Sequence, residues 1–287
     1  MTDPSRLRVH LRTLALALIA LLSAGCERAI FGVINRGTAP PDSSTVFSQQ
    51  KSLSLDIYRA RHAAPGPVPV VVFFYGGSWQ RGSRDQYRFV GDRLADNGIL
   101  TIVADYRTYP RTVFPGFMDD AAEAVAWSVK HAADYGGDPS RVFIAGHSAG
   151  AQIAGLLGTD GRYLARAGTS LGRIAGVIGL SGPYNFEITG QYLAVFGPPA
   201  HWPDAQAINF VDGDEPPFLL IHGTSDRIVE SRDSVELDEK LKAHGGRSRL
   251  LLLPGAGHFA TAAGLYDPKR APEVLPSVLD FVRHPKP

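Results

Sequence analysis

The chain has 287 residues, 44% of them hydrophobic, and sets 29 Lys plus Arg against 28 Asp plus Glu for a formal net charge of +1. So balanced a charge excludes a dedicated nucleic-acid or polyanion binder, and the hydrophobic share is enough for a sizeable core in a single domain. The His residues are scattered, with none at zinc-ligand spacing beside a Cys or Glu, so no metal is expected, and a lone cysteine allows no internal disulfide.

In chain order, Arg6, Arg8 and Arg12 precede a short apolar run, Leu14 to Leu22, which ends in Ser23-Ala24-Gly25-Cys26. A run of this length is too short to span a bilayer as a mature helix, but it suits a signal-peptide core. The small residues before the cysteine resemble a bacterial lipobox, with Ser23 where Leu is usual. Residues 1–25 are therefore expected to be a signal peptide of lipoprotein type. Cys26 would be the lipidated first residue of an exported protein, attached to a membrane in the periplasm or cell envelope. The competing reading is an ordinary cleaved signal peptide with an incidental cysteine. Residues 26–46, poor in apolar side chains and containing Gly37-Thr38-Ala39-Pro40-Pro41, read as a flexible tether. Residues 47–287 remain as one globular domain.

Within that domain, strand-like and helix-like stretches alternate. Leu53 to Tyr58 has period-two patterning, and Val68 to Phe74 is nearly continuous in β-branched and aromatic residues, as in a strand buried on both faces. Asp85 to Asn97 reads as a helix stopped by Gly98, and Ile99 to Ala104 as the next strand. Pro115 to Tyr135 reads as a long helix with Ala122, Val125, Ala126 and Val129 on its apolar face. Arg141 to Ala145 then reads as a strand and Ala149 to Gly158 as a helix. Further strands are expected at Ile174 to Leu180, Phe218 to Ile221 and Arg249 to Leu253, with helices over 231–244 and 271–283. Such alternation predicts a mostly parallel sheet with helices on both faces, and a ligand site beyond the carboxyl ends of its strands. Only Ser181 to Pro217, rich in Pro, Gly and aromatics, breaks the rhythm, and it would sit over that site as a small cap.

Gly146-His147-Ser148-Ala149-Gly150 fits G-x-S-x-G. Composition alone supplies roughly 0.2 such matches in a chain like this, so the pattern needs its context. Val142-Phe143-Ile144-Ala145 before it and a helix of small residues after it make the strand–turn–helix in which a serine nucleophile is exposed. A serine hydroxyl must lose its proton to an imidazole, and a carboxylate must orient that imidazole. Asp226 lies just past one apolar strand and His258 just past another, so both fall at the same sheet edge as Ser148. Asp212, Asp214, Glu215 and Glu230 are rival carboxylates in the cap or at a helix start; His147, His201, His222 and His244 are rival imidazoles. His222, at a strand end, more plausibly braces the Asp226 turn. Tetrahedral oxyanions need N–H donors; these are expected from Ala149 and from the loop Tyr75-Gly76-Gly77-Ser78-Trp79. Trp79, Tyr184, Phe186, Tyr192 and Trp202 are the candidate pocket aromatics.

Taken together, Gly76-Gly77-Ser78-Trp79, Asp105-Tyr106-Arg107, Gly136-Gly137-Asp138-Pro139, Gly146 to Gly150, Asp226 and His258 resemble the α/β-hydrolase carboxylesterases with a His-Gly-Gly-x-Trp oxyanion loop. That group includes hormone-sensitive-lipase, feruloyl-esterase and kynurenine-formamidase relatives. The resemblance implies an α/β-hydrolase fold with a small cap between the sixth and seventh strands. It also implies a Ser148–His258–Asp226 triad, oxyanion donors at Gly77 and Ala149 with Ser78 as a further candidate, and no metal or organic cofactor. The expected partner is a small-molecule ester, with no nucleic acid. Tyr75 departs from the pattern by standing where the group has His, and a Tyr hydroxyl can hold the same loop by hydrogen bonding. The short cap, without a long amphipathic lid helix, points to small soluble esters. An arylformamidase-like amide hydrolase, or a non-catalytic surface lipoprotein with this fold, are the alternative readings.

Overall fold

The computed structural model describes residues 31–285. Its chain divides after Thr38 into two units. Of the first, only 31–38 is described, a helical turn at 31–34 and the bend that follows it. The expected signal segment and Cys26 lie outside the described residues.

The second unit is built on eight strands: β1 Ser43–Ser48, β2 Leu53–Tyr58, β3 Val68–Phe74, β4 Leu100–Ala104, β5 Gly137–His147, β6 Ile174–Leu180, β7 Phe218–Gly223 and β8 Ser248–Leu253. They lie in the order β1-β2-β4-β3-β5-β6-β7-β8. β2 runs antiparallel to both β1 and β4, and every pair from β4 to β8 is parallel. The mostly parallel sheet expected from the alternation is observed, in the α/β-hydrolase form that the resemblance implies. Because β4 flanks β3 on one side and β5 on the other, the loops after β3 and β5 border the point where the strand order reverses. Open α/β sheets bind ligands there.

β1 corrects the extent of the tether, whose expected end at residue 46 falls inside this strand. Backbone pairing, not burial, holds it: Ser44 lies opposite Asp56 and Thr45 opposite Leu55, and the Ser44 hydroxyl donates to Asp56 Oδ1 at 2.5 Å. An edge strand of alternating exposure with a polar sequence gives almost no hydrophobic signal. β3, by contrast, is buried at every position after Val68, as its unbroken apolar run requires.

The helices are α1 Arg88–Asp96, α2 Gly116–His131, α3 Ala149–Thr159, α4 Gly161–Arg166, α5 Tyr192–Phe196, α6 Arg232–Ala243, α7 Ala260–Tyr266 and α8 Val274–Arg283. α1 packs with α7, and α7 with α8, while α2 packs with α3 and α4. The buried stripe of α2 runs through Phe117, Ala121, Ala122, Val125 and Ser128, at the spacing of one helical face. Ala126 and Val129, expected on that face, are rotated to its half-exposed edge. The cap between β6 and β7 consists of α5 and three short 3-10 turns. It is tied down where the Phe114 N–H donates to the Val195 carbonyl at 2.9 Å.

Candidate active site

At the end of β5 the chain turns sharply into α3. Ser148 sits at φ 55°, ψ −122°, in a region that costs a non-glycine residue about 1–3 kcal/mol. The surrounding packing enforces it. A Cβ at Gly150 would lie 2.0 Å from the Phe74 carbonyl oxygen, so only glycine lets the first turn of α3 approach the end of β3 this closely. The Ser148 N–H donates to the Leu180 carbonyl at 2.9 Å, which locks the turn to β6.

Strands β7 and β8 bring the other two groups to the same edge. His258 Nε2 is 2.9 Å from Ser148 Oγ, and His258 Nδ1 is 2.7 Å from Asp226 Oδ2. Ser148 and His258 are 9% and 6% exposed, and the Asp226 side chain is wholly shielded. Asp226 Oδ1 accepts the N–H groups of Ile228 and Val229 at 2.8 and 3.0 Å. Burial opposes ionisation of Asp226, but hydrogen bonds from His222 and His258 and from the Val229 N–H outweigh it and hold its carboxyl well below the usual range. It is therefore a carboxylate that keeps a proton on His258 Nδ1, leaving Nε2 to receive the serine proton.

The rival imidazoles have other partners. His222 Nδ1 meets Ser234 Oγ at 2.7 Å, while its Nε2 faces the Val229 carbonyl at 3.1 Å and Asp226 Oδ2 at 3.2 Å. His147 points away from its neighbour's hydroxyl: Nδ1 meets the Tyr87 hydroxyl at 2.8 Å and Nε2 the His258 carbonyl at 3.3 Å. Burial first, and the adjacent His258 ring second, push the His147 pKa down to about 3, so it stays neutral. A neutral ring satisfies both contacts if Nε2–H donates to the carbonyl and Nδ1 accepts from the tyrosine. The Ser181 and Thr261 hydroxyls also donate to the His258 carbonyl, at 3.1 and 3.4 Å, so three side chains pin the backbone of His258. His201 and His244 are exposed, as are Asp212, Asp214 and Glu230. Glu215 is spent on the N–H groups of Asp212 and Gly213.

Ser78 and Ala149 line the cavity that holds Ser148. The Ala149 N–H is the first of α3 and has no partner within the helix. Gly77, outside the lining, sets the loop: its φ is 138° and its carbonyl accepts the N–H groups of Gln80 and Arg81, both at 3.0 Å. Ser78 and Trp79 follow at φ 54° and 57°, two consecutive left-handed residues. Tyr75 braces this strained loop from within. Its ring stacks on Tyr106 at 4.6 Å, its hydroxyl donates to the Tyr106 carbonyl at 3.3 Å, and the Tyr106 hydroxyl donates back to the Tyr75 carbonyl at 2.8 Å. Neighbouring charges fix the same region: Asp105 pairs with Arg84 at 2.8 Å, and Arg107 forks onto the buried Asp120 through Nε at 2.8 Å and Nη2 at 2.7 Å.

The cavity is about 270 Å³. Trp79, Phe186 and Tyr192 form its aromatic wall; the Trp79 ring stacks on Phe186 at 5.4 Å and meets Tyr192 edge-on at 5.6 Å. Two expected pocket residues lie elsewhere. Tyr184 is fully buried, its ring lodged in space left open by Gly155, Gly179 and Gly182, none of which could carry a Cβ beside it. Trp202 donates to the Gly197 carbonyl within the cap and is outside the lining.

Sequence reasoning passed over Gln152 and Asp233. Gln152, fully buried, accepts from Trp79 Nε1 at 3.0 Å and donates to the Ala205 carbonyl at 2.9 Å, joining the oxyanion loop to the cap. One amide among the small apolar residues of α3 was its only signal. Asp233 lines the cavity from the first turn of α6, where an acid is commonplace and carries no signal of its own. Among the described residues no cluster of three or more His, Cys, Asp or Glu is placed to hold a metal ion.

The BD-FAE family model matches residues 55–241. Among curated proteins, the chain is 29% identical over 263 residues to a probable isoprenylcysteine alpha-carbonyl methylesterase, ICMEL1, of Arabidopsis thaliana, covering 79% of this chain and 52% of that protein. It is 33% identical over 238 residues to esterase LipC of Mycobacterium tuberculosis, covering 74% of this chain and 58% of that one. The chain thus spans little more than half the length of these relatives. Among solved structures, Thermogutta terrifontis esterase 2 phosphorylated by paraoxon superposes with a TM-score of 0.72 at 24% identity, covering 84% of this chain and 92% of that one. A truncated carbohydrate esterase from gut microbiota gives 0.71 at 22% identity, covering 85% and 98%. At such identities the likeness concerns the fold.

Proposed function

This chain belongs to the BD-FAE family, and from that premise we propose that it is a serine carboxylesterase. Ser148 Oγ attacks the ester carbonyl while His258 Nε2 takes its proton, and Asp226 stabilises the imidazolium that forms. The Ala149 N–H, with those of Gly77 and Ser78 in the family's oxyanion-loop manner, receives the developing oxyanion. His258 then returns the proton to the departing alcohol, leaving an acyl group on Ser148. Water, activated by the same imidazole, releases the acid and restores the serine.

One observation carries this reading: the unbroken line of hydrogen bonds from Asp226 through His258 to Ser148, ending in a cavity. At about 270 Å³ that cavity falls just below the roughly 300–1,000 Å³ usual for drug-sized ligands, which favours small, soluble esters. We infer further that Cys26 is acylated and holds the enzyme at the cell envelope. Incubation with paraoxon followed by peptide mass spectrometry tests the chemistry. Stoichiometric diethylphosphorylation of Ser148 is expected, and modification only at other residues would refute the assignment.

A further inference from the structure

The cavity that holds Ser148 carries charge the triad does not use. Glu187, Glu230 and Asp233 line it, with Arg232 as the one cation in the lining. Arg232 is already engaged on both sides, with Nη2 3.4 Å from Glu230 and Nε 3.6 Å from Glu236. Arg227 is exposed and lies outside the lining. Carboxylates therefore outnumber cations in the space where substrate must sit.

Asp233 adds to this something an exposed acidic rim would not. It is 5% exposed. Its Oδ1 accepts the N–H groups of Tyr184 and Asn185 at 2.8 and 2.6 Å, and no described residue donates to Oδ2. Burial pushes its pKa up in spite of those two bonds, the mark of a carboxylate short of partners. A carboxylate in a cavity wall, with one oxygen free of protein donors, can meet a donor or positive charge on a bound molecule there. Beside it, Phe186 and Tyr192 supply aromatic surface, which attracts cations.

We propose that the cavity selects esters bearing a positive charge on the group it holds, with Asp233 as the specificity-determining residue and Glu187 and Glu230 supplying the field at its mouth. This deepens the esterase reading and rests on it. The triad makes no use of substrate charge, so the preference is set by the cavity lining, these three carboxylates above all.

Two pairs of esters matched in shape and differing in charge test it. One pair is choline butyrate and its uncharged tert-butyl carbon isostere; the other is the methyl ester of trimethylammonio-butyric acid and its carbon isostere. They place the charge on the alcohol side and on the acyl side in turn. For at least one pair, the wild-type protein is expected to favour the cation by about tenfold in kcat/KM at low salt, and by less at high salt. Calorimetry on the Ser148→Ala protein reads the same preference as binding, without turnover. Asp233→Asn keeps an oxygen for both N–H groups, and it is expected to bring the ratio within each pair toward one. The exposed pair Glu187→Gln with Glu230→Gln is expected to do the same in part, and it remains informative should Asp233→Asn fail to fold. Equal or reversed ratios for both pairs, or a preference that survives all these substitutions, would overturn the proposal. A binding preference without hydrolysis of any ester would count against the esterase reading alone.

Discussion

Asp226 Oδ2 is shared by two imidazoles, His258 Nδ1 at 2.7 Å and His222 Nε2 at 3.2 Å. Only the first of them reaches Ser148, at 2.9 Å. The second is itself fixed by Ser234 at 2.7 Å and by the Val229 carbonyl, so it holds the carboxylate at the angle His258 needs. His222→Phe leaves Asp226 and Ser234 each short of a partner in a shielded site. It is expected to lower unfolding free energy by about 1–3 kcal/mol and kcat by about tenfold. Urea denaturation and steady-state kinetics check this; an unchanged kcat would remove His222 from the positioning network.

The triad is expected to act as a unit. Asp226→Asn should lower kcat by about 10⁴, because an amide that donates toward Nδ1 favours the wrong tautomer of His258. Ser148→Ala and His258→Ala should each cost about 10⁶, and the double variant no more than either alone. Multiplying losses in the double variant would mean that the two residues do not share a step.

Tyr75 and Tyr106 are expected to differ although their rings stack as equals. The Tyr106 hydroxyl holds the oxyanion-loop carbonyl of Tyr75 at 2.8 Å, whereas the Tyr75 hydroxyl reaches the Tyr106 carbonyl only at 3.3 Å. Tyr106→Phe should cost about 1–2 kcal/mol and a severalfold loss of kcat, and Tyr75→Phe under about 0.5 kcal/mol. The reverse order, read from denaturation midpoints, would show that Tyr75 replaces the family's His through its hydroxyl and not its ring.

His147 makes stability fall with acid. Its pKa drops from about 6.5 unfolded to about 3 folded, so between those values the unfolded chain binds a proton that the native ring refuses. Stability is full above that window and is lost as pH falls through it, by up to about 1.4 kcal/mol per pH unit. Asp226, held below its ordinary range, adds its own loss from about pH 3.8 downward, where the unfolded carboxyl takes up a proton that the native one refuses. His147→Gln should flatten the slope between pH 6.5 and 4 in urea titrations; parallel curves for the two proteins would contradict it.

Lipid attachment is read by labelling cells of the native host with a radioactive fatty acid. Wild-type protein is expected to carry label and Cys26→Ala none. No label in either would end the anchor reading.

The juxtaposition of Ser148, His258 and Asp226 was legible because each follows an apolar strand in a chain that alternates strand and helix, and a parallel sheet brings such strand ends to one edge. The place of His222 beside the Asp226 turn was legible for the same reason. Tyr184 was misjudged because an aromatic residue in a cap reads alike whether its ring faces a cavity or fills a hollow left by three glycines distant in sequence. β1 was missed because its pairing depends on backbone hydrogen bonds, which side-chain periodicity does not record. Asp233 was passed over because its meaning lies in two N–H donors far away in the chain, at Tyr184 and Asn185.

The most direct measurement is hydrolysis of p-nitrophenyl butyrate by the wild-type protein and by Ser148→Ala, prepared alike and compared for folding by circular dichroism. Turnover by the wild type and only background release from the folded variant is the expected result. Equal rates from the two proteins would contradict the assignment of Ser148 as the nucleophile.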